Sequence, residues 1–189
     1  MRTITFIAIA TISAMLPFSA ARAQRNQAKL ISPVRLELSM EITTTTEDGY
    51  PSALRATVKN VGDVDADMPM PVFGCLTQGG QILLHIEWHS DDPHKTNGYG
   101  WGGGCGEGDR PSLTQQIRNE GVRLRPGEFI TSSVNIHSRL QGIEPGIIEY
   151  WIEFIPPKTT RRDLVELQQA GYIVPTETIE TDHQRFIVR

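Results

Sequence analysis

The sequence predicts an all-β protein in which antiparallel strands form a sandwich, with one short helix near the C-terminus. Three observations predict this class. Several segments alternate apolar and polar residues with a period of two, which is typical of strands with one buried face. Short runs of Asn, Gly and Pro separate these segments and are typical of tight turns. A single helical pattern cannot supply the crossovers that a parallel sheet needs.

The first 23 of the 189 residues are predicted to be a removable export signal. Arg2 gives this segment a positive start, residues 3–16 form an apolar stretch of 14, and Ala21-Arg22-Ala23 is a typical cleavage site. The apolar stretch is shorter than a usual membrane span. We therefore expect cleavage after Ala23 and a periplasmic or extracellular protein.

The predicted mature chain is acidic. The whole chain has a net charge of -4, from 18 Lys and Arg against 22 Asp and Glu. Removing the signal takes away Arg2 and Arg22, which leaves 16 against 22 and a net charge of -6. Such a chain is a poor match for nucleic acid, and no later apolar run approaches the roughly 20 residues that cross a bilayer. We expect neither a nucleic-acid partner nor a membrane span.

The first half of the mature chain contains three strand patterns and a proline-rich segment. Residues 54–58 alternate and end at the turn Asn60-Val61-Gly62-Asp63. Residues 68–71 are predicted to be an extended edge or crossover, because proline has no amide hydrogen to donate. Residues 82–89 are apolar at even positions, so Trp88 is predicted to point inward. The most regular strand pattern has the apolar residues Val34, Leu36, Leu38, Met40 and Ile42.

Residues 90–112 are predicted to form a long loop, because seven glycines lie between Gly98 and Gly108. Turns then bound a weak strand over residues 130–136 and a regular one over 148–154. Thr160 with Asp163 predicts the start of a helix, Gly171 its end, and residues 185–189 the last strand. The predicted organisation is a sandwich over residues 24–157, which a helix and strand over 158–189 complete.

Cys75 and Cys105 are the two cysteines of the chain. An oxidising compartment makes a disulfide the expected state of such a pair. The spacing contains no Cys-x-x-Cys, which disfavours a zinc site. A bond between the two residues closes a loop of about 30 residues, which the loop-entropy account values at roughly 3.6 kcal/mol. Two free thiols are the alternative.

Three turn motifs carry a family resemblance that covers roughly residues 30–157. They are Asn60-Val61-Gly62, Leu124-Arg125-Pro126-Gly127-Glu128 and Pro145-Gly146-Ile147-Ile148-Glu149-Tyr150. In these motifs the chain resembles bacterial secreted immunoglobulin-like modules, and its turn pattern is similar to that of the bacterial intracellular proteinase inhibitor family. The resemblance implies an immunoglobulin-like β-sandwich, often without catalytic activity. The chain departs from the antibody pattern, because Cys105 falls in a glycine-rich segment rather than on a late strand.

The strand over residues 82–89 carries a candidate metal site, because His85, Glu87 and His89 share one face of it. Alternate residues on a strand are about 6.6 Å apart, so Glu87 is close enough to share an ion with either histidine. The two histidines are about 13 Å apart, and further ligands are needed. Met68 and Met70 are candidates if the ion is copper. The alternative is the solvated face of an ordinary amphipathic strand.

Three aromatic residues are candidate partner contacts. Tyr99 and Trp101 lie in the predicted glycine-rich loop, which either presents them to a sugar, a peptide or a protein or folds back over the sheet. Alternation points Trp151 away from the face that holds Ile148 and Tyr150. Trp151 is therefore expected to cover the second sheet or to meet a partner.

Motifs of nucleophilic enzymes are missing from the sequence, which has no Gly-x-Ser-x-Gly and no Cys-His signature. Residues 98–103 match the dinucleotide fingerprint by letter, but no βαβ unit surrounds them, so no cofactor is expected. We expect a non-enzymatic binding or envelope-accessory module whose partner is a protein or glycan of the cell envelope. A periplasmic copper or zinc binder and a protease-inhibitor-like protein are the alternatives.

Overall fold

The structure, a computed structural model, describes residues 33–47, 49–74, 81–90, 96–101, 111–136, 140 and 146–188, with the backbone alone for 96–101. All of these residues belong to one compact unit, Ser32–Arg189. The predicted export signal, Cys75 and Cys105 lie outside the described residues. Export and the disulfide therefore stay predictions.

Strands make up most of the described residues. Helix α1 spans Leu113–Glu120, and helix α2 spans Arg161–Gln169. Within the described ranges, no helix has the length and apolarity that crossing a membrane requires. The strands are β1 (Leu36–Thr45), β2 (Pro51–Asn60), β3 (Ala66–Pro69), β4 (Val72–Phe73), β5 (Gln81–Ser90), β6 (Thr96–Trp101), β7 (Gly121–Leu124), β8 (Phe129–Asn135), β9 (Gly146–Ile155), β10 (Ile179–Glu180) and β11 (Gln184–Val188).

The strands form two main sheets and a ribbon. The three-stranded sheet has the order β1-β2-β8, and both of its pairs are antiparallel. The six-stranded sheet has the antiparallel pair β5-β9 at its centre, with β10 and β11 on the far side of β9 and β4 and β6 on the far side of β5. Strand β4 pairs with β5 in parallel. The ribbon is the antiparallel pair β3-β7.

The apolar faces of both main sheets and of the ribbon meet in one core, so the predicted all-β antiparallel sandwich is confirmed. A second, smaller core forms where α1 and α2 meet. The main core includes Leu38, Leu54, Ala56 and Val58 from the three-stranded sheet, Ile82, Leu84, Ile152 and Phe154 from the six-stranded sheet, and Ala66, Met68 and Leu124 from the ribbon.

The period-two patterns identify the buried faces of the long strands. In β5 and β9 the predicted inward residues are buried, Trp88 among them, and their polar neighbours are more exposed. In β1 the alternation ends early, because Ile42 is 41% exposed. The registers of β1 with β2 shift between Ile42 and Thr45, where this edge strand extends past the core.

Two parts of the prediction for residues 90–112 and their surroundings are wrong. Residues 96–101 form strand β6 rather than loop, because their backbone pairs with β5 although glycine disfavours strands. Helix α1 follows at Leu113, so the C-terminal helix is not alone. Its sequence signal is a capping box, in which the Ser112 hydroxyl accepts from the Gln115 amide and the Gln115 side chain accepts from the Ser112 amide.

The predicted C-terminal helix and last strand are confirmed. Helix α2 begins with a capping box between Thr160 and Asp163, and this hydrogen bonding to Thr160 lowers the pKa of Asp163. Gly171 is the second residue after α2, and its φ of 82° lies in the left-handed region that favours glycine. The Tyr172 amide donates to the Leu167 carbonyl, which completes a Schellman ending. Strand β11 then adds to the edge of β9.

The ribbon holds the segment after α2 in place through Asp67, a carboxylate that is only 3% exposed. Its oxygens accept from Arg123 Nε at 2.7 Å and from the Ile173 amide at 3.0 Å. The hydrogen bond with Asp67 raises the pKa of Arg123. The Asp67 amide also donates to the Ile173 carbonyl. The buried charge is therefore paired and hydrogen-bonded, as burial in the interior requires.

Asn60, at the end of β2, is fully buried and connects the turn after β2, the end of β7 and the turn before β8. Its Nδ2 donates to the carbonyls of Val64 and Leu124, both at 2.8 Å. Its Oδ1 accepts from the Gly62 amide at 3.0 Å. Its backbone amide donates to the carbonyl of Glu128. The side chain thus replaces the water that two carbonyls and one amide would otherwise need.

We expect Asn60→Ala to lower the free energy of unfolding by more than roughly 2 kcal/mol, because it leaves several polar groups buried without partners. Urea unfolding followed by circular dichroism measures the change. Lys59→Ala is the matched control, since Lys59 is the exposed neighbour on the same strand, and it should stay within about 0.5 kcal/mol. Equal effects of the two substitutions would contradict the role of the buried amide.

Candidate functional site

The outer face of the six-stranded sheet carries a cluster of imidazole, carboxylate and indole groups. We name it the His-Glu face. Strands β5, β9 and β11 lie side by side there, and the residue before β11 joins them. The face consists of His85, Glu87 and His89 from β5, Glu149, Trp151 and Glu153 from β9, and His183 and Arg185 at β11.

Strand register explains why these residues meet. His85 lies opposite Trp151, and Glu87 lies opposite Glu149. On the other side of β9, Arg185 lies opposite the same Glu149. Residues directly opposite each other share a face, so the period-two patterns of the three strands superimpose. The alternate residues of the same strands form the core.

Trp151 is stacked between two imidazole rings. The ring centroid of His85 lies 4.8 Å from that of Trp151, and the planes differ by 4°. On the other face of the indole, the centroid of His183 lies 4.0 Å away with planes 8° apart. Both faces of this half-buried indole are therefore occupied by side chains of the protein itself.

Glu149 is the most enclosed carboxylate of the His-Glu face, with a side chain that is 12% exposed. Its Oε1 accepts from His183 Nδ1 at 2.8 Å, and its Oε2 accepts from Arg185 Nε at 3.0 Å. The hydrogen bonds from Arg185 and then from His183 lower the pKa of Glu149. The carboxylate is therefore held as an anion that fixes both neighbours.

The two histidines of β5 turn to different carboxylates. His85 Nε2 lies 3.0 Å from Glu153 Oε2. His89 Nε2 lies 3.7 Å from Glu87 and 3.9 Å from Glu149, measured to a carboxylate oxygen of each. His85 is thus fixed by both a stacking contact and a hydrogen bond, whereas the contacts of His89 with carboxylates of the described residues are longer than a hydrogen bond.

An exposed apolar pair borders the His-Glu face. Ile187 of β11 lies opposite Ile147 of β9, and the two are 63% and 40% exposed. Ile147 also lies opposite His89. The outer face of the three-stranded sheet is different, because Ser, Thr and charged residues such as the Glu41-Arg55 pair dominate it. That face also exposes one aromatic residue, Phe129, which lies opposite Lys59. Within the described residues, the stacked rings lie on the six-stranded sheet.

The prediction that His85, Glu87 and His89 share an outward face is confirmed, and the metal site stays a prediction. Among the described residues, no group of three or more His, Cys, Asp or Glu side chains is arranged to hold a metal ion. Each histidine contacts a carboxylate or a ring of its own surroundings instead of converging with the other. Met68 is fully buried in the main core, so it offers no ligand to this face.

Trp151 lies on the outer face, as alternation predicts. The backbone register of β6 with β5 pairs Tyr99 with Ile86 and Trp101 with Leu84, and the side chains of both aromatic residues lie outside the described structure. The positions of β6 opposite His85 and Glu87 are Gly100 and Gly98. Beside His85 and Glu87, the His-Glu face therefore borders on glycines, whereas His89 lies opposite Thr96.

Four members of the His-Glu face were not candidates in the sequence analysis: Glu149, Glu153, His183 and Arg185. Alternation in residues 148–154 already places the two glutamates on the outside of a strand. Alternation along one strand does not show which strand lies next to it in the sheet. A residue that follows β10 cannot be assigned to Trp151 until the order of the strands is known.

The fold and the His-Glu face define an all-β sandwich with a stacked imidazole-indole-imidazole group on the outside of one sheet. In comparisons with known proteins, the chain matches no family model and no curated protein. The immunoglobulin-like resemblance therefore stays a prediction, and function has to be inferred from the contacts of the chain itself.

Lowering the pH should selectively weaken the contribution of Glu149 to stability. A carboxylate whose pKa is lowered in the folded state stabilises the fold above its ordinary pKa, and that contribution is lost as the pH falls through the lowered value. We expect Glu149→Gln to lower the urea midpoint at pH 7, and the difference from the unmodified protein to shrink between about pH 5 and pH 3. Urea titrations at several pH values measure this.

Glu41→Gln provides the control, because Glu41 is in an exposed ion pair with Arg55 on the opposite sheet. Exposed pairs contribute little, so this variant should remain close to the unmodified protein at every pH. A stability difference for Glu149→Gln that is the same at pH 7 and pH 3 would show that the carboxylate charge is not what matters.

Proposed function

We propose that this chain is a non-enzymatic binding module of the cell envelope, and that the His-Glu face with its apolar border binds a protein partner. The observation that carries the proposal is Trp151, which lies on the same outer face as the exposed pair Ile147 and Ile187, with Glu149 between Trp151 and Ile147 on β9. Aromatic residues and arginine are enriched at the centres of protein interfaces. The predicted export signal, residues 1–23, supports the envelope as the compartment.

The composition of the face fits a protein better than a glycan. A sugar ring binds an indole by stacking on its face, so a sugar would have to displace His85 or His183 from Trp151. A protein surface can instead cover the two isoleucines and contact the exposed edge of the stack. Arg185, whose side chain is 69% exposed, adds a polar group that is already oriented by Glu149.

The histidine contacts also favour binding over nucleophilic catalysis. In a catalytic pair, a base is hydrogen-bonded to the hydroxyl or thiol that it activates. Within the described part of the chain, the hydrogen bonds of His85 and His183 go to Glu153 and Glu149, and none goes to a hydroxyl or thiol. These contacts hold the rings against Trp151.

A photo-crosslinker on each sheet tests the proposal. We would place p-benzoylphenylalanine at Ile187 in one variant and at Phe129 in another, because these residues are 63% and 62% exposed and lie on different sheets. In an envelope fraction of the producing cells, we expect a discrete adduct from position 187 and none from position 129. Excess unmodified protein should abolish the adduct.

The Trp151→Ala protein serves as a second competitor and should compete at least about tenfold less well, since a buried aromatic contact at an interface centre is worth more than 1.4 kcal/mol. Its thermal unfolding midpoint is checked first, and Ile187→Asp replaces it if the fold is lost. Equal adducts from both positions, no adduct from position 187, or full competition by the variant would each overturn the proposal.

A further inference from the structure

His183 differs from the other stacked imidazole in where the chain holds it. His85 lies within β5, directly opposite Trp151 in the central strand pair. His183 lies between β10 and β11, after Glu180 and before pairing with β9 resumes at Gln184. Its backbone lies outside the strand pairs of β9, and its side chain is 43% exposed against 27% for His85. Of the two rings that cover Trp151, His183 is therefore the more exposed and the less constrained by its backbone.

The contacts of His183 outline a small binding site. A flat ring with an N–H lies 4.0 Å from the centroid of the indole and donates to Glu149 Oε1 at 2.8 Å. When the ring moves away, the indole face is uncovered and the enclosed carboxylate loses a donor. Arg185 keeps the other oxygen of Glu149 occupied and the carboxylate in place. A ligand that replaces the imidazole there has to be flat and to donate N–H groups, and a positive charge would favour its binding to the carboxylate.

Guanidinium has the chemistry that this space requires. It is planar, always charged in proteins, stacks on aromatic faces and donates several N–H groups to carboxylates. A lysine ammonium is compact and strongly hydrated and has no flat face to stack. Glu153 on the same strand adds a second carboxylate to this side of the sheet.

We propose that His183 is an internal occupant of a guanidinium site formed by Trp151 and Glu149, and that an arginine side chain of the partner displaces it. The inference rests on the proposed function, because it names the group by which a partner engages the His-Glu face. His183 then acts as a built-in competitor. It reduces affinity by the fraction of time that it occupies the site, so removing it strengthens binding.

Titration with a blocked amino acid tests the site directly. The probe is Nα-acetyl-L-arginine amide, and binding is followed by the backbone amide resonances of β9 around Trp151 in the unmodified protein and in His183→Ala. We expect His183→Ala to bind the arginine probe at least about threefold more tightly than the unmodified protein. Nα-acetyl-L-lysine amide, which has the same charge, should bind several-fold more weakly than the arginine probe.

Two further variants connect this binding to the two components of the site. In the His183→Ala background, Trp151→Leu removes the stacking face and Glu149→Gln removes the charge, and each should abolish the shifts caused by the arginine probe. Thermal unfolding shows which variants are folded, and Trp151→Phe replaces Trp151→Leu if that one is not, with weakened rather than abolished binding expected. Equal binding of both probes, no gain in His183→Ala, or retained binding in both further variants would overturn the site.

The crosslinking assay separates this inference from the proposed function. The arginine probe should suppress the adduct at position 187, whereas the lysine probe should not. If the adduct forms but the arginine probe neither binds nor suppresses it, the guanidinium site is wrong and the binding face stands. If the probe binds without suppressing the adduct, the assignment to the partner's arginine is wrong. If no adduct forms, the proposed function itself is overturned.

Discussion

Asn60 is a fully buried amide at the point where β2, the turn after it and the end of β7 converge. All three of its side-chain hydrogen bonds go to backbone groups, so one residue replaces the water that these bends would otherwise bind. Gly62 is part of the same constraint, because a Cβ there would lie 3.0 Å from the Arg35 amide nitrogen. The three-stranded sheet, the ribbon and the turn into β8 are thereby fixed relative to one another. A polar group in the core is tolerated because every hydrogen-bonding atom has a partner.

In the six-stranded sheet, the central pair of strands fixes the residues of the candidate site relative to one another. Pairing of β5 with β9 places His85 against Trp151 on the outside and Ile86 against Tyr150 on the inside. Where this pairing begins, the backbones of the two strands lie so close together that a Cβ at Gly146 would be 2.4 Å from the His89 carbonyl oxygen. The same register therefore sets the core and the His-Glu face. A shift of one residue would exchange the two faces and destroy both.

Glu149 organises this face and is also part of the binding site that we propose. Glu149 holds His183 and Arg185 by hydrogen bonds, while the isoleucines at its border remain exposed. A surface that is already organised loses little conformational freedom on binding, which favours affinity. His183 is the exception, because it lies between strands, and its displacement would give the face two states that differ in which group covers Trp151.

The sequence by itself determined the strand class, the buried faces of β5 and β9, the start and end of α2, and the shared face of His85, Glu87 and His89. These are local properties, carried by alternation and by capping residues a few positions apart. Strand β6 was missed because its pairing with β5 outweighs the low strand preference of its glycines. Only the tertiary structure decided that Trp151 is stacked between His85 and His183, since 98 residues separate the two histidines along the chain. Strand order brings them together, and alternation within one strand contains no information about its neighbour.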